Sequence, residues 1–411
     1  MAPLCPEKLL AIHLSCRQPV NQPFPPPAFH LRPKRWVHLD LNQEPRDYES
    51  PALTVELWTR RCDLSSTPRR ETQSSLAQVY PIVGKAWAVS QNILPSTMPI
   101  GPQSTFSSHP RTAVVGSGAL GTYYGAKLAK SGVPVSFLAR RDLAHLQSKG
   151  LQIRCTQGDF HLPQVTAWAT SQEIGPVDLV LVCLKTTANA SLAELLPPLI
   201  GADTAVCTLQ NGLGNEEFLA SLIGQERVLC GVCHVCVSRP EPGVARNLSG
   251  GNIRFSDLTG GDTPRARSLA ALFEKAGLTC SVAPSVGSAR WYKLVWNIPF
   301  NGLSIAAGGI DTAQILADPK LYQETLALMD EVMQASAALG FPQDPQHPTQ
   351  EVARTRKMGA YQPSSLLDYL AKKPVELDSI WGEPLRQGTS AGVVMPCLKQ
   401  LHEKLKALVK I

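Results

Sequence analysis

The chain has 411 residues, 44% hydrophobic and 18% charged, a globular balance that excludes a disordered or fibrous class and leaves room for two or three domains. Its formal net charge of +6 divides into 11 Lys/Arg against 8 Asp/Glu in residues 1–110 and 28 against 25 in the remainder, with no basic run, which argues against a nucleic-acid partner. No apolar run approaches the roughly 20 residues of a membrane span, no secretory signal opens the chain, and 11 scattered cysteines form no disulfide framework; these features point to the cytoplasm.

Residues 1–110 hold 16 of the 34 prolines and only two of the 30 glycines. They show no sustained helical or alternating apolar pattern, so the expectation is a Pro-rich, largely unstructured extension. It reads as a targeting segment, an interaction tail or the product of an upstream start, with Met98 as an alternative first residue. Its acidic residues count against a transit peptide.

From Arg111 the pattern turns regular. The short apolar runs Thr112 to Val115, Val133 to Leu138, Asp178 to Leu184 and Thr204 to Leu209 alternate with helix-length segments, which predicts a parallel sheet covered on both faces. The first run leads into Gly116-Ser117-Gly118-Ala119-Leu120-Gly121. Between a strand and a helix this G-x-G-x-x-G suits a dinucleotide: Gly116 permits the turn, Gly118 the approach of a pyrophosphate, and Gly121 close helix–strand packing. The second run ends in Leu138-Ala139-Arg140-Arg141, where an NAD site usually carries an acid. A guanidinium there suits a 2′-phosphate and favours NADP(H), with Arg140 first and Asp142 as a partial counter-charge.

Two loops follow later strand ends, where open parallel sheets bind ligands. One carries Lys185, able to hold an anion; the other carries Asn211 before Gly212. Val228 to Ser238 is valine-rich like a strand and contains Cys230, Cys233 and Cys236. A spacing of three puts successive cysteines on opposite strand faces, so buried small hydrophobes are expected there and not a metal site.

Beyond about Ser285 the strand signals stop. Ala289 to Ala307, Pro319 to Leu339, Ser364 to Ala371, Leu377 to Arg386 and Pro396 to Val409 read as helices. Lys293, Asn297 and Asn301 recur every four residues on one face of the first, with Pro299 expected to kink it. Among Trp291, Leu294, Val295, Trp296 and Phe300, Lys293 should have a depressed pKa and could act as an acid near neutrality. The expected architecture is α/β, in three segments: the extension 1–110, a Rossmann-type dinucleotide-binding domain over 111–285, and an all-helical substrate domain over 286–411. The helical domain leaves a homodimer open.

The glycine loop with Arg140, and the motifs C-L-K-T-T, Q-N-G-L-G-N, W-Y-K-L-V-W-N-I-P-F-N, P-S-S-L-L-D and E-L-D-S-I-W-G, together resemble ketopantoate reductase (2-dehydropantoate 2-reductase). The resemblance runs from about residue 111 to the C-terminus. It implies reduction of a 2-keto acid by NADPH in the route to pantothenate and coenzyme A. Lys293 would be the general acid and Glu376 its partner carboxylate, near the cofactor as well. Lys185 and Asn211 would lie by nicotinamide and substrate. Asn297, Asn301 and Ser365 would bind the substrate, although the interval to Glu376 is one residue short and leaves Ser364 in competition. Trp381 and Asp311 stand where relatives carry Asn, which leaves the keto acid open. Another 2-keto acid, or an NADP(H)-binding sensor without catalysis, are the alternatives; Lys293 and Glu376 are the pair a sensor would not need.

Overall fold

The computed structural model describes residues 104–409. The expectations for the Pro-rich extension and for a start at Met98 lie outside these residues, apart from 104–110. There the Phe106 amide donates to Ser268 Oγ at 2.9 Å, and its ring packs against the first hydrophobic core.

Ten strands form one sheet: β1 Thr112–Val115, β2 Val135–Leu138, β3 Leu151–Cys155, β4 Phe160–Leu162, β5 Thr166–Trp168, β6 Val177–Val182, β7 Ile200–Thr208, β8 Val228–Ser238, β9 Val244–Asp257 and β10 Cys280–Val282. Their order is β4-β3-β9-β8-β7-β6-β1-β2-β5, with β10 also on β9. From β5 to β8 every pairing is parallel. Numbered along the chain, those six strands lie 3-2-1-4-5-6, the doubly wound order whose direction reverses between β1 and β6.

The pleat sends alternate residues to opposite faces. Val114, Leu179 and Leu181 enter a core shared with Tyr123, Tyr124 and Leu128 of α1 (Ala119–Lys130) and with Leu269 and Phe273. Ala113, Val115, Val180 and Val182 enter a second core with Leu192, Leu196, Leu219 and Ile223. Helices thus cover both faces, and each fully buried Leu or Phe is worth about 1.5–3 kcal/mol. The other longer helices of this part are α2 (Leu143–Lys149), α3 (Asn215–Ile223) and α4 (Pro264–Lys275), with shorter helical stretches such as Thr186–Ser191 and Leu192–Leu195 between them.

The parallel pairing expected from the apolar runs holds from β5 to β8, and beyond β8 the sheet is mixed. β9 runs antiparallel to β8, and β4 antiparallel to β3. The reason is visible in β9, whose burial alternates along most of its length. A half-exposed strand carrying Arg246, Asn247 and Ser249 gives no continuous apolar run.

From Val286 onward the chain is helical: α5 Val286–Ala306, α6 Thr312–Ala317, α7 Pro319–Ala338, α8 His347–Met358, α9 Ser364–Leu370, α10 Glu383–Ser390 and α11 Pro396–Leu408. They enclose a core of their own around Trp291, Val295, Ile298, Leu328, Val332, Trp381 and Leu401. α5 starts at a capping box in which Ser285 and Ser288 satisfy each other's amides. It continues through Pro299 to Ala306, so the expected kink does not end it. The single helix expected over Leu377 to Arg386 is instead a π turn at Asp378–Gly382 leading into α10. No helix among the described residues is long and apolar enough to cross a membrane.

Candidate active site

A cleft of about 890 Å³ runs from the glycine loop to the helical part. Its floor is the switch point between β1 and β6. Gly116 takes φ +106°, and a Cβ on it would meet Leu184 N at 2.8 Å. A Cβ on Gly121 would stand 2.1 Å from Gly116 O, so only glycine lets α1 start this close to the turn. A Cβ on Gly118 would meet nothing within 4 Å; that side of the loop faces the cleft. Ser117, Ala119 and Leu120 also line it, and the first N–H groups of α1 have no intrahelical acceptor. The cradle fits a pyrophosphate.

At one end of the cleft stand Arg140, Arg141, Asp142 and Arg239. Asp142, buried at 7% exposure, pairs with Arg239 from the end of β8. Its charge is therefore spent on Arg239. Arg140 is exposed, and its guanidinium has no ion-pair partner among the described residues.

The other end holds the titratable cluster. Lys293 and Asn297, one turn apart on α5, both line the cleft. Lys293 Nζ donates to Asn211 Oδ1 at 2.6 Å. Burial pulls the Lys293 pKa down to about 8, with the nearby Arg290 acting in the same sense, and Cys233 and Glu376 opposing. The Asn211 loop is fixed against Ser379. A Cβ on Gly212 would overlap Ser379 O at 2.2 Å, and Leu213 N donates to that same carbonyl at 2.9 Å.

Glu376, 3% exposed, accepts from Thr186 N at 2.9 Å and from Lys185 Nζ at 3.4 Å. Lys185 also reaches Asp368 Oδ2 at 2.6 Å. Although burial works against its charge, Glu376 and Asp368 outweigh it and raise the Lys185 pKa. Lys185 and Glu376 line the cleft together with Asn211 and Lys293.

Asn301 and Ser365 sit behind this wall. Both are buried, Asn301 Nδ2 donates to Asn297 O at 3.1 Å, and Ser365 N donates to Asn301 Oδ1 at 3.0 Å. The neighbouring Ser364 lines the cleft. Asp311 caps α6 through Gln314 N at 2.9 Å. Trp381 is fully buried, its indole donating to Ile298 O at 3.0 Å. Neither Asp311 nor Trp381 lines the cleft.

Sequence reasoning did not single out Arg290 and Glu216. Arg290, on α5 and 3% exposed, donates through Nε to Glu216 Oε1 at 3.0 Å and through its guanidinium to Gln210 O. It ties the Lys293 helix to the Asn211 loop. The only signal was an arginine three residues before Lys293 and an acid five after Asn211, too little to pair them. Cys230 and Cys233 are buried in different clusters, and Cys236 lies in the cleft wall.

Residues 112–260 match the family model described as ketopantoate reductase PanE/ApbA, and 285–409 match its C-terminal model. A 2-dehydropantoate 2-reductase from a Nostoc species is 36% identical over 303 residues, covering 72% of this chain and 94% of its own. The crystal structure of a 2-dehydropantoate 2-reductase from Geobacter metallireducens is 41% identical, covering 72% and 99%, with a TM-score of 0.71. A D-mandelate dehydrogenase solved with NADH and anilino(oxo)acetate, 22% identical, shares the fold at a TM-score of 0.67 over 72% and 97% of the two chains.

Proposed function

The chain belongs to the ketopantoate reductase family, and from that premise we propose that it reduces 2-dehydropantoate to pantoate with NADPH, a step toward pantothenate and coenzyme A. The observation that carries this reading is the Lys293–Asn211 hydrogen bond of 2.6 Å on the wall of the cleft that begins at the glycine loop.

Gly116, Gly118 and the first turn of α1 would hold the pyrophosphate, and Arg140 the 2′-phosphate. When bound, the reduced dinucleotide supplies the hydride. Lys293 supplies the proton. With its pKa lowered to about 8, Lys293 is mainly ammonium at pH 7, and the pKa is close enough to neutrality for efficient transfer. Asn211 accepts one N–H and aims the group. As the carbonyl carbon gains its new C–H bond, the oxygen takes the proton from Nζ. The neutral amine then recovers a proton from water in the cleft.

Glu376 and Lys185 act as a pair. Glu376 holds the amide of Thr186 and the Lys185 ammonium, so that Lys185 stands as fixed positive charge beside the developing alkoxide. Asn297 presents its amide to the substrate. We assign Ser364, rather than Ser365, as the wall hydroxyl; Asn301 and Ser365 then support Asn297 from behind. The helices from Val286 to Leu408 supply the acid and residues 111–285 the cofactor cradle.

The test follows NADPH absorbance with purified protein and a panel of 2-keto acids. Turnover of 2-dehydropantoate ahead of the others is expected. Turnover of another acid with none of 2-dehydropantoate would overturn the substrate assignment.

A further inference from the structure

The cleft continues past Lys293 and Asn297 into a part that the roles above leave unused. Its wall is α8, which presents Glu351, Arg354 and Met358 to the same cavity as Lys293, Trp296 and Asn297 of α5. The spacing of three and seven residues puts these groups on one helix face. The two helices are tied at this point: Trp296 Nε1 donates to Thr355 Oγ1 at 2.8 Å, and the His347 ring stacks on Tyr292 at 3.8 Å.

Arg354 is held in a fixed posture. Its guanidinium lies 5.9 Å from the centre of the Trp296 ring, and Nε donates to Glu351 Oε2 at 3.0 Å. Glu351 is 6% exposed, and its second oxygen lies 3.4 Å from His347 Nε2. The carboxylate is thus engaged on both oxygens by His347 and Arg354. Arg354 Nη1 has no hydrogen-bond partner among the described residues, while its side chain is 48% exposed in the cleft wall. A surface Arg–Glu pair at this spacing would ordinarily sit on a solvated helix face; here the acid is buried and the arginine borders the cavity. Trp296 follows Lys293 by three residues along α5 and lies against Arg354. Both cations act on the neighbouring His234, which burial, Lys293 and Arg354 keep neutral.

We propose that Arg354 is the residue that selects for an anionic substrate: its free guanidinium edge receives the carboxylate of the 2-keto acid while Lys293 faces the ketone oxygen. Glu351 and His347 are positioning residues that orient the fork. A preorganised guanidinium suits a planar carboxylate and loses little entropy on binding it. The inference rests on the keto-acid reading of the cleft.

The experiment compares 2-dehydropantoate with its uncharged primary amide, in wild type, Arg354→Gln and Arg354→Lys, all with NADPH. Wild type should favour the acid at least 100-fold in kcat/KM. Arg354→Gln should shrink that preference at least tenfold, mostly through KM for the acid, with amide turnover and NADPH affinity unchanged. Arg354→Lys keeps a cation beside Glu351 and should fold even if Arg354→Gln does not; without the fork it should fall between the two. An acid-to-amide ratio unchanged in either folded variant, or a parallel loss for both substrates, would overturn the role of Arg354 alone. Wild type inactive on 2-dehydropantoate and on every other 2-keto acid of the panel would overturn the keto-acid reading, and this inference with it.

Discussion

At the scale of single residues, the proposed chemistry depends on which groups are charged. Lys293 is an acid only while protonated, and burial sets its pKa at about 8. Reduction should therefore run at full rate below about pH 7 and fall tenfold per unit above about pH 8. The reverse oxidation, which needs the free amine, should rise over the same window. A pH profile of kcat/KM in both directions checks the sign. At the other end of the cleft, the pairing of Asp142 with Arg239 leaves Arg140 and its neighbour Arg141 without an ion-pair partner among the described residues, and Arg140 is the first candidate. Arg140→Ala should raise the Kd for NADPH at least tenfold and leave that for NADH within about twofold, since one charge-assisted hydrogen bond is worth about 1.5–3 kcal/mol. Equal losses for the two dinucleotides in a fluorescence titration would reject the 2′-phosphate role.

At the scale of elements, the glycine loop separates a packing role from a binding one. A Cβ at Gly121 meets the Gly116 carbonyl at 2.1 Å, whereas one at Gly118 meets nothing within 4 Å. Gly121→Ala should lower Tm by several degrees and weaken NADPH. Gly118→Ala should leave Tm unchanged and weaken NADPH alone; thermal melts beside the titration distinguish them. The same contrast explains what could be read from the sequence. β1, β6, β7 and β8 are buried through most or half of their length and announce themselves as apolar runs. In β3 and β9 burial is broken by exposed positions and gives no continuous apolar run, while β4, β5 and β10 have three residues each, too short for any periodicity to register. α8, mostly polar with its buried positions limited to His347, Glu351, Val352 and Thr355, gave no apolar stripe although it walls the cleft. The face of α5 was legible because Lys293 and Asn297 stand among aromatics. The depth of Ser365 was not, because one residue of rotation at the start of α9 decides whether Ser364 or Ser365 meets the cavity.

At the scale of the whole molecule, the cleft exists because the helical part is fastened to the loops at the strand ends. Arg290 to Glu216 and Gln210, Ser379 to Leu213, and Glu376 to Thr186 are among the tethers that do this, beside Lys185 to Asp368 and Lys293 to Asn211. The first is a fully buried ion pair, so removing one partner strands the other charge. Arg290→Met should cost about 3–5 kcal/mol of stability, read as a shift of the urea midpoint with unchanged slope. A loss below about 1 kcal/mol would show that the tether is not what joins these segments. The central claim is that Lys293 gives the proton while the rest of the cleft binds cofactor and keto acid. Its most direct test is NADPH-dependent reduction of 2-dehydropantoate by wild type and Lys293→Ala, with NADPH affinity measured on the same samples. The account predicts a loss of about 10²- to 10⁴-fold in kcat with Kd for NADPH within about twofold; an unchanged kcat would contradict it.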